Sequence, residues 1–201
     1  MVRVKVCGIT SLRDAEKSLE FGADMLGFNF YAPSPRAIAP EKAREIIARL
    51  PTESWNVALF VNAARNEVER TIAGSLYRAL QFHGEESAEF CAGWGLKIIK
   101  AFRLKEKTAL SALTDFPADY YLLDSWSAGY GGSGAGFPWE WLDGFDGGKL
   151  ILSGGLAPDN VAAAIRRVHP FGVDVCSGVE ERPGIKDHEK LKQFILAAKA
   201  A

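Results

Sequence analysis

Two residues stand where an apolar run stops and a loop begins, a place where a side chain is both held and exposed. Cys7 ends VRVKVC and precedes Gly8 and a helix cap. A lone buried cysteine is ordinarily inert packing, but one at such a boundary is presented to a loop. Asp124 ends YYLLD, ahead of SWSAGYGGSGAGF. A carboxylate there often caps the next helix. Here the next helix pattern starts well downstream, near Pro138, so capping does not account for it. The intervening segment reads as a long, flexible loop of the kind that serves as a lid. Its GGSG lacks the lysine of a P-loop.

Two further turns suit anions. Ser153, Gly154, Gly155 and Leu156 follow one apolar run, and Ser177, Gly178, Val179 and Glu180 follow another. Glycines let backbone N–H groups approach an anion, and a short helix start after the second turn would add its dipole. Phosphate binding at Gly154, Gly155, Ser177 and Gly178 is the expectation. Arg36, in YAPSPRAI, suits an anion or oxyanion contact. His83 precedes Gly84; a histidine in such a place is most often structural, and it is carried here as a candidate substrate contact. Cys91 and Cys176 read as structural, one in a helix and one inside the last strand.

These residues need a scaffold that gathers strand ends. Short β-branched runs at 3–7, 25–30, 55–61, 79–82, 97–102, 120–124, 150–153 and 172–176 alternate with helical patterns. Ser11 caps a first helix that Gly22 ends, and Pro40 suits a first turn before Pro51 stops the next helix. Pro158 opens a helix bearing Val161, Ile165 and Val168. Asp187 caps the last, with Leu191, Phe194, Ile195 and Ala198 as its apolar stripe. Eight strands, each followed by a helix, predict an α/β fold with a closed parallel sheet, a (β/α)8 barrel over residues 1–201 as a single domain. An open doubly wound sheet would gather its polar strand ends at one switch point, whereas here both halves of the chain carry them. In a barrel the loops after the seventh and eighth strands are the usual phosphate site.

Parity within the strands says more. Val2, Val4 and Val6 alternate with Arg3, Lys5 and Cys7, so the valines face helices and Lys5 and Cys7 face the barrel interior. Gln81 and His83 share one face of the fourth strand, and Gly172, Asp174 and Cys176 one face of the eighth. Unpaired buried charge is costly. Because first and eighth strands adjoin in a closed barrel, Lys5 is expected to pair with Asp174.

Bulk properties narrow the class. The 201 residues are 48% hydrophobic and 24% charged, the balance of an ordinary globular domain. A net charge of −1 gives no global pull toward nucleic acid or membrane. Three cysteines, an odd number without CxxC spacing, exclude a disulfide framework and a zinc knuckle. A cytoplasmic protein without signal peptide or membrane span is the expectation.

Together, VKVCGIT at the first strand, GADMLGFNFYAPSPRAI across the second, ALFVN at the third and LQFHGEE at the fourth resemble the phosphoribosylanthranilate isomerase family. So do LLD with YGGSG at the sixth, LSGGLAPDNV at the seventh and VDVCSGVEERPGIKD at the eighth. The resemblance runs from Val4 to the final helix, in order and without a large insertion. It implies a TIM barrel that performs a cofactor-free Amadori rearrangement in tryptophan biosynthesis, turning an aminoaldose into an aminoketose. It carries the role of general base onto Cys7 and that of general acid onto Asp124. Arg36 falls to the anthranilate carboxylate and the two glycine turns to the phosphate. No cofactor and no metal are implied; the partner is the phosphorylated small-molecule substrate, and the protein is a monomer or homodimer. A free thiol titrates near ~8.5 and needs a downward shift to act at neutral pH, whereas an aspartate near ~3.9 must be raised or transiently protonated to donate. Lys5 or a strand-end dipole would help Cys7. Cys176 departs from the serine or other small residue expected there, and Phe82 from a leucine.

Other readings stay open on the sequence. The related histidine-pathway isomerase runs the same chemistry on a larger substrate with two phosphates, but that family looks to use an aspartate where this chain has Cys7, and the two halves of this chain lack matching phosphate loops. A non-catalytic sugar-phosphate-binding barrel would keep the glycine turns and drop the acid–base pair. A redox role for Cys7 would require a disulfide with Cys176.

Overall fold

In the computed structural model, which describes residues 1–74, 76–104, 116–125 and 138–201, eight parallel strands close into a barrel. They are β1 (Arg3–Cys7), β2 (Met25–Asn29), β3 (Trp55–Phe60), β4 (Tyr77–Phe82), β5 (Lys97–Leu104), β6 (Tyr120–Ser125), β7 (Leu150–Leu152) and β8 (Gly172–Val175). The predicted barrel is present. Around it lie α1 (Leu12–Glu20), α2 (Pro40–Ile47), α3 (Arg65–Ile72), α4 (Ala88–Cys91), α5 (Val161–Val168) and α6 (His188–Ala200). The YGGSG stretch singled out in the sequence lies outside the described residues. Among those residues, no helix is long and apolar enough to cross a membrane.

Local chemistry sets the helix ends. The Ser11 hydroxyl accepts from the Asp14 N–H at 3.1 Å to start α1, and Gly22 follows its end with φ +105°. Pro40 sits in the first turn of α2, where its missing N–H costs nothing. Asp187 accepts from the N–H groups of Glu189 and Lys190 at 3.0 and 3.1 Å and caps α6.

The alternation of strand and helix is less regular than the sequence pattern suggests. The helix expected to open at Pro158 begins at Val161, because the Asn160 side chain holds the preceding residues in a turn. Its amide oxygen accepts from Ala157 N–H at 2.9 Å and its amide nitrogen donates to the Gly155 carbonyl at 2.8 Å. After β6 the described residues form only the 3₁₀ turns Trp139–Leu142 and Gly147–Lys149. After β8 a 3₁₀ turn, Ser177–Val179, and a small antiparallel hairpin of β9 (Glu180–Arg182) and β10 (Ile185–Lys186) precede α6. Strands so short carry no alternation to read.

Two apolar layers result. Val4, Val6, Leu26, Phe28, Leu80 and Phe82 pack outward against the helices, while Met25, Val57, Ala79, Ile99, Leu122 and Ile151 fill the barrel. Above this inner plug sit polar groups, and they are paired as parity requires. β1 and β8 run in register with Lys5 opposite Asp174, and Lys5 Nζ donates to Asp174 Oδ1 at 2.8 Å. Burial pushes the fully buried ammonium toward neutrality, but the charges of Asp174 and Cys7 outweigh it and hold Lys5 above its ordinary range. Ser153 at the end of β7 adds a hydroxyl to the other Asp174 oxygen at 3.3 Å.

Candidate active site

All eight residues singled out from the sequence line one cleft at the C-terminal ends of the strands: Cys7, Arg36, His83, Asp124, Gly154, Gly155, Ser177 and Gly178.

Cys7 ends β1, opposite Gly27 of β2. A Cβ at Gly27 would come within 3.0 Å of Cys7 Sγ and 3.1 Å of Lys5 Nζ, so glycine leaves the space those groups occupy. The Cys7 thiol is pulled down to about 6, first by a hydrogen bond with Cys176, against the opposing effect of burial, and then by the Lys5 charge. The same bond and burial push the Cys176 thiol well above its ordinary range.

Asp124 is the penultimate residue of β6. One carboxylate oxygen accepts from the Ser125 N–H at 2.8 Å, and the other lies 3.5 Å from His83 Nε2. The Gln81 amide nitrogen, inside the barrel, lies 2.9 Å from His83 Nδ1. With Nδ1 accepting from that amide, the ring proton sits on Nε2, which makes no hydrogen bond of its own. Parity placed Gln81 and His83 on one face, and their contact is the consequence.

The two glycine turns meet. Gly154 has φ +83°, and a Cβ there would fall 2.6 Å from the Ser125 nitrogen and 3.0 Å from Asp124 Oδ1. At Gly178 a Cβ would lie 2.0 Å from the Leu156 carbonyl oxygen. The turn after β8 can rest on the turn after β7 only without a side chain. Gly178→Ala therefore separates the turns, and kcat/KM is expected to fall by about 10², as an ångström-scale misplacement costs. Steady-state kinetics on the variant would check this, and activity equal to wild type would sink it.

Arg36, between β2 and α2, is not a free surface charge. Its Nε and Nη2 grip the Glu180 carboxylate, with Nη2 at 2.7 Å from Oε2 and Nε at 2.9 Å from Oε1. Glu180 Oε1 also accepts from Gly184 N–H at 3.2 Å and Lys186 Nζ at 3.1 Å. Burial would raise the Glu180 carboxyl, but Arg36 and Lys186 overcome it and hold the group ionised.

The cleft also takes in Tyr31 and Ser34, which the sequence reading did not single out, and behind Arg36 stand Glu180 and Lys186. Cys176 lies just past the end of β8 and lines the cleft, rather than sitting inside the strand. Its in-step position opposite Cys7 was the available signal. Glu180 and Lys186 were quoted within SGVEERPGIKD, but only the hairpin brings them together.

A sequence profile of the family described as N-(5'phosphoribosyl)anthranilate (PRA) isomerase matches residues 4–197. The N-(5'-phosphoribosyl)anthranilate isomerase of Pelobacter propionicus is 44% identical over 201 residues, covering 99% of this chain and 96% of that one. The solved structure of phosphoribosyl anthranilate isomerase from Thermotoga maritima superposes with a TM-score of 0.91 at 43% identity, with 100% of both chains covered. Another, solved in complex with reduced 1-(o-carboxyphenylamino)-1-deoxyribulose 5-phosphate, gives a TM-score of 0.88 at 40% identity, again with 100% of both chains covered.

Proposed function

We propose, from the premise that this chain belongs to the N-(5'-phosphoribosyl)anthranilate isomerase family, that Cys7 is the general base and Asp124 the general acid of its reaction. The chain is an isomerase of tryptophan biosynthesis. It converts N-(5'-phosphoribosyl)anthranilate, an aminoaldose, into 1-(2-carboxyphenylamino)-1-deoxyribulose 5-phosphate, an aminoketose.

Ring opening needs a proton on the furanose oxygen. Asp124 donates it as general acid and leaves a Schiff base. The Cys7 thiolate then removes the proton from C2′. The resulting enolamine tautomerises to the ketone; the proton Cys7 took from C2′ balances the one Asp124 gave to the ring oxygen, and exchange with solvent restores both groups. The N–H groups around Gly154, Gly155, Ser177 and Gly178 hold the phosphate. Arg36 meets the anthranilate carboxylate, and His83 steadies Asp124 from the side. The observation that carries this reading is the placement, in one cleft, of a thiol lowered from its ordinary range and a carboxyl 3.5 Å from a histidine ring nitrogen.

Turnover of freshly generated phosphoribosylanthranilate, followed by loss of anthranilate-type fluorescence, tests the reaction. An intact fold without turnover would leave a sugar-phosphate-binding barrel in front. The pH profile tests the base. A thiol lowered to about 6 keeps its ionised form down to that pH and loses it below. On the acid side kcat/KM should therefore be flat above pH ~6.5 and drop about tenfold per unit below ~5.5. An acid limb near pH 8.5, where an ordinary thiol titrates, would exclude Cys7 as it is placed here.

A further inference from the structure

We infer that Glu180 is a positioning residue for this reaction: it clamps one edge of Arg36, leaves the other edge for the cleft, and so sets a preference for a substrate whose aromatic ring carries a carboxylate. The inference rests on the reading of Arg36 as the contact for that carboxylate. A guanidinium has a side edge, Nε with Nη2, and an end edge, Nη1 with Nη2. Glu180 takes the whole side edge. Nε donates to Oε1 at 2.9 Å and to Oε2 at 3.0 Å, and Nη2 donates to Oε2 at 2.7 Å. Nη1 donates to no group among the described residues, and Arg36 lines the cleft. The edge that remains is two parallel N–H groups, the fork that holds a carboxylate.

Both halves of the clamp are fixed. The Arg36 N–H donates to Ser34 Oγ at 3.2 Å, and that hydroxyl also accepts from Asn29 Nδ2, at the end of β2, at 3.1 Å. The arginine stem lies across Gly8, where a Cβ would come within 3.1 Å of Arg36 Cδ. Gly8 follows Cys7, so the fork is carried past the proposed base. On the other half, Glu180 Oε1 also accepts from Lys186 Nζ at 3.1 Å, the Gly184 N–H at 3.2 Å and the Cys176 thiol at 3.8 Å. The Glu180 and Lys186 side chains are buried, and of the three charged residues only Arg36 reaches the cleft.

The charge balance fits one carboxylate. Arg36 and Lys186 are positive and Glu180 is negative, so the cluster keeps a single positive charge, at the end that faces the cleft. A ring without a carboxylate would strip water from the fork and give it no acceptor in return. An unclamped arginine would also lose rotamer freedom on meeting the carboxylate; the clamp has already removed that freedom.

The test is calorimetric binding of two probes: reduced 1-(o-carboxyphenylamino)-1-deoxyribulose 5-phosphate, and its counterpart with a plain phenyl ring. The ratio of their Kd values reads the preference without turnover, and the plain probe alone reports on the fold and the phosphate site. Wild type is expected to favour the carboxylated probe by about 10². Glu180→Leu with Lys186→Met strands no ammonium and keeps the net charge of the cluster. It should lower the ratio about tenfold while the plain probe binds within about twofold of wild type. In turnover the loss should fall on KM, with kcat within about threefold of wild type. Glu180→Gln with Lys186→Met keeps one acceptor for Arg36 and should fall in between; it carries the test if the leucine variant does not fold. An unchanged ratio overturns the inference, as does equal weakening of both probes, which would make Glu180 only a brace of the hairpin. Arg36→Met tests the premise separately and should bring the ratio close to one. A ratio that survives Arg36→Met removes Arg36 as the carboxylate contact. A ratio lost there but kept in the Glu180 variants leaves Arg36 in place and refutes Glu180 alone.

Discussion

Asp124→Asn reduces kcat/KM by about 10² to 10⁴, the usual worth of a positioned general acid, while leaving the fold and the binding of a reduced product analogue close to wild type. The amide has the shape of the carboxyl and keeps the acceptor that meets the Ser125 N–H at 2.8 Å. It cannot hand over a proton, so the furanose ring stays closed. Cys7→Ser is expected to lose activity on the same scale for the other half of the reaction, since a hydroxyl does not ionise near neutrality. Serine fits the slot beside Gly27, so unfolding is not the cause. Turnover and analogue binding, measured on the same preparations, separate the alternatives. Weakened analogue binding with kcat intact would make Asp124 a binding group, and an active Asp124→Asn enzyme would remove it from the mechanism.

The second large effect is on stability. Asp174→Ala leaves the Lys5 ammonium fully buried with its 2.8 Å partner gone. Removing one member of a buried pair costs about 3–5 kcal/mol, against a total stability of only ~5–15 kcal/mol. Urea denaturation midpoints would show it. Replacing both members by apolar residues, Lys5→Met with Asp174→Leu, should recover much of the loss, because no charge is then stranded. A cost below ~1 kcal/mol for Asp174→Ala would mean that water reaches Lys5. A double variant as unstable as the single would mean that packing, rather than charge, governs the site.

The contact between Lys5 and Asp174 also shows how far a sequence of this kind can be read. The alternation of Val2, Val4 and Val6 with Arg3, Lys5 and Cys7 is a local steric fact, since successive side chains in a strand must point to opposite faces. Barrel closure then joins first strand to last, and the pair follows. Ser11, Pro40 and Asp187 were legible for the same reason: each acts on backbone groups within a few residues. Legibility failed where a side chain reached across the chain. Asn160 holds the turn that delays α5, and Arg36 finds its partner in Glu180, 144 residues away. Cys176 read as core because a cysteine after VDV looks like one more strand residue. In the structure it lies just past the end of β8 and lines the cleft. The glycine turns were legible as permissive backbone, but the Leu156 carbonyl that a Cβ at Gly178 would meet at 2.0 Å is set beside it only in the folded chain.

The partnership between the first and last strands bears on how the chain acquires its shape. Lys5 and Asp174 are 169 residues apart in sequence. An incomplete chain that lacks β8 holds an ammonium aimed into its own interior with nothing to neutralise it. Premature collapse around the first strands is thereby penalised, and the sheet closes only when its final member arrives, the kind of long-range event that sets slow folding rates. Cys7 ends the first strand and Cys176 follows the last, so the walls of the cleft come together only when the ring of strands is complete.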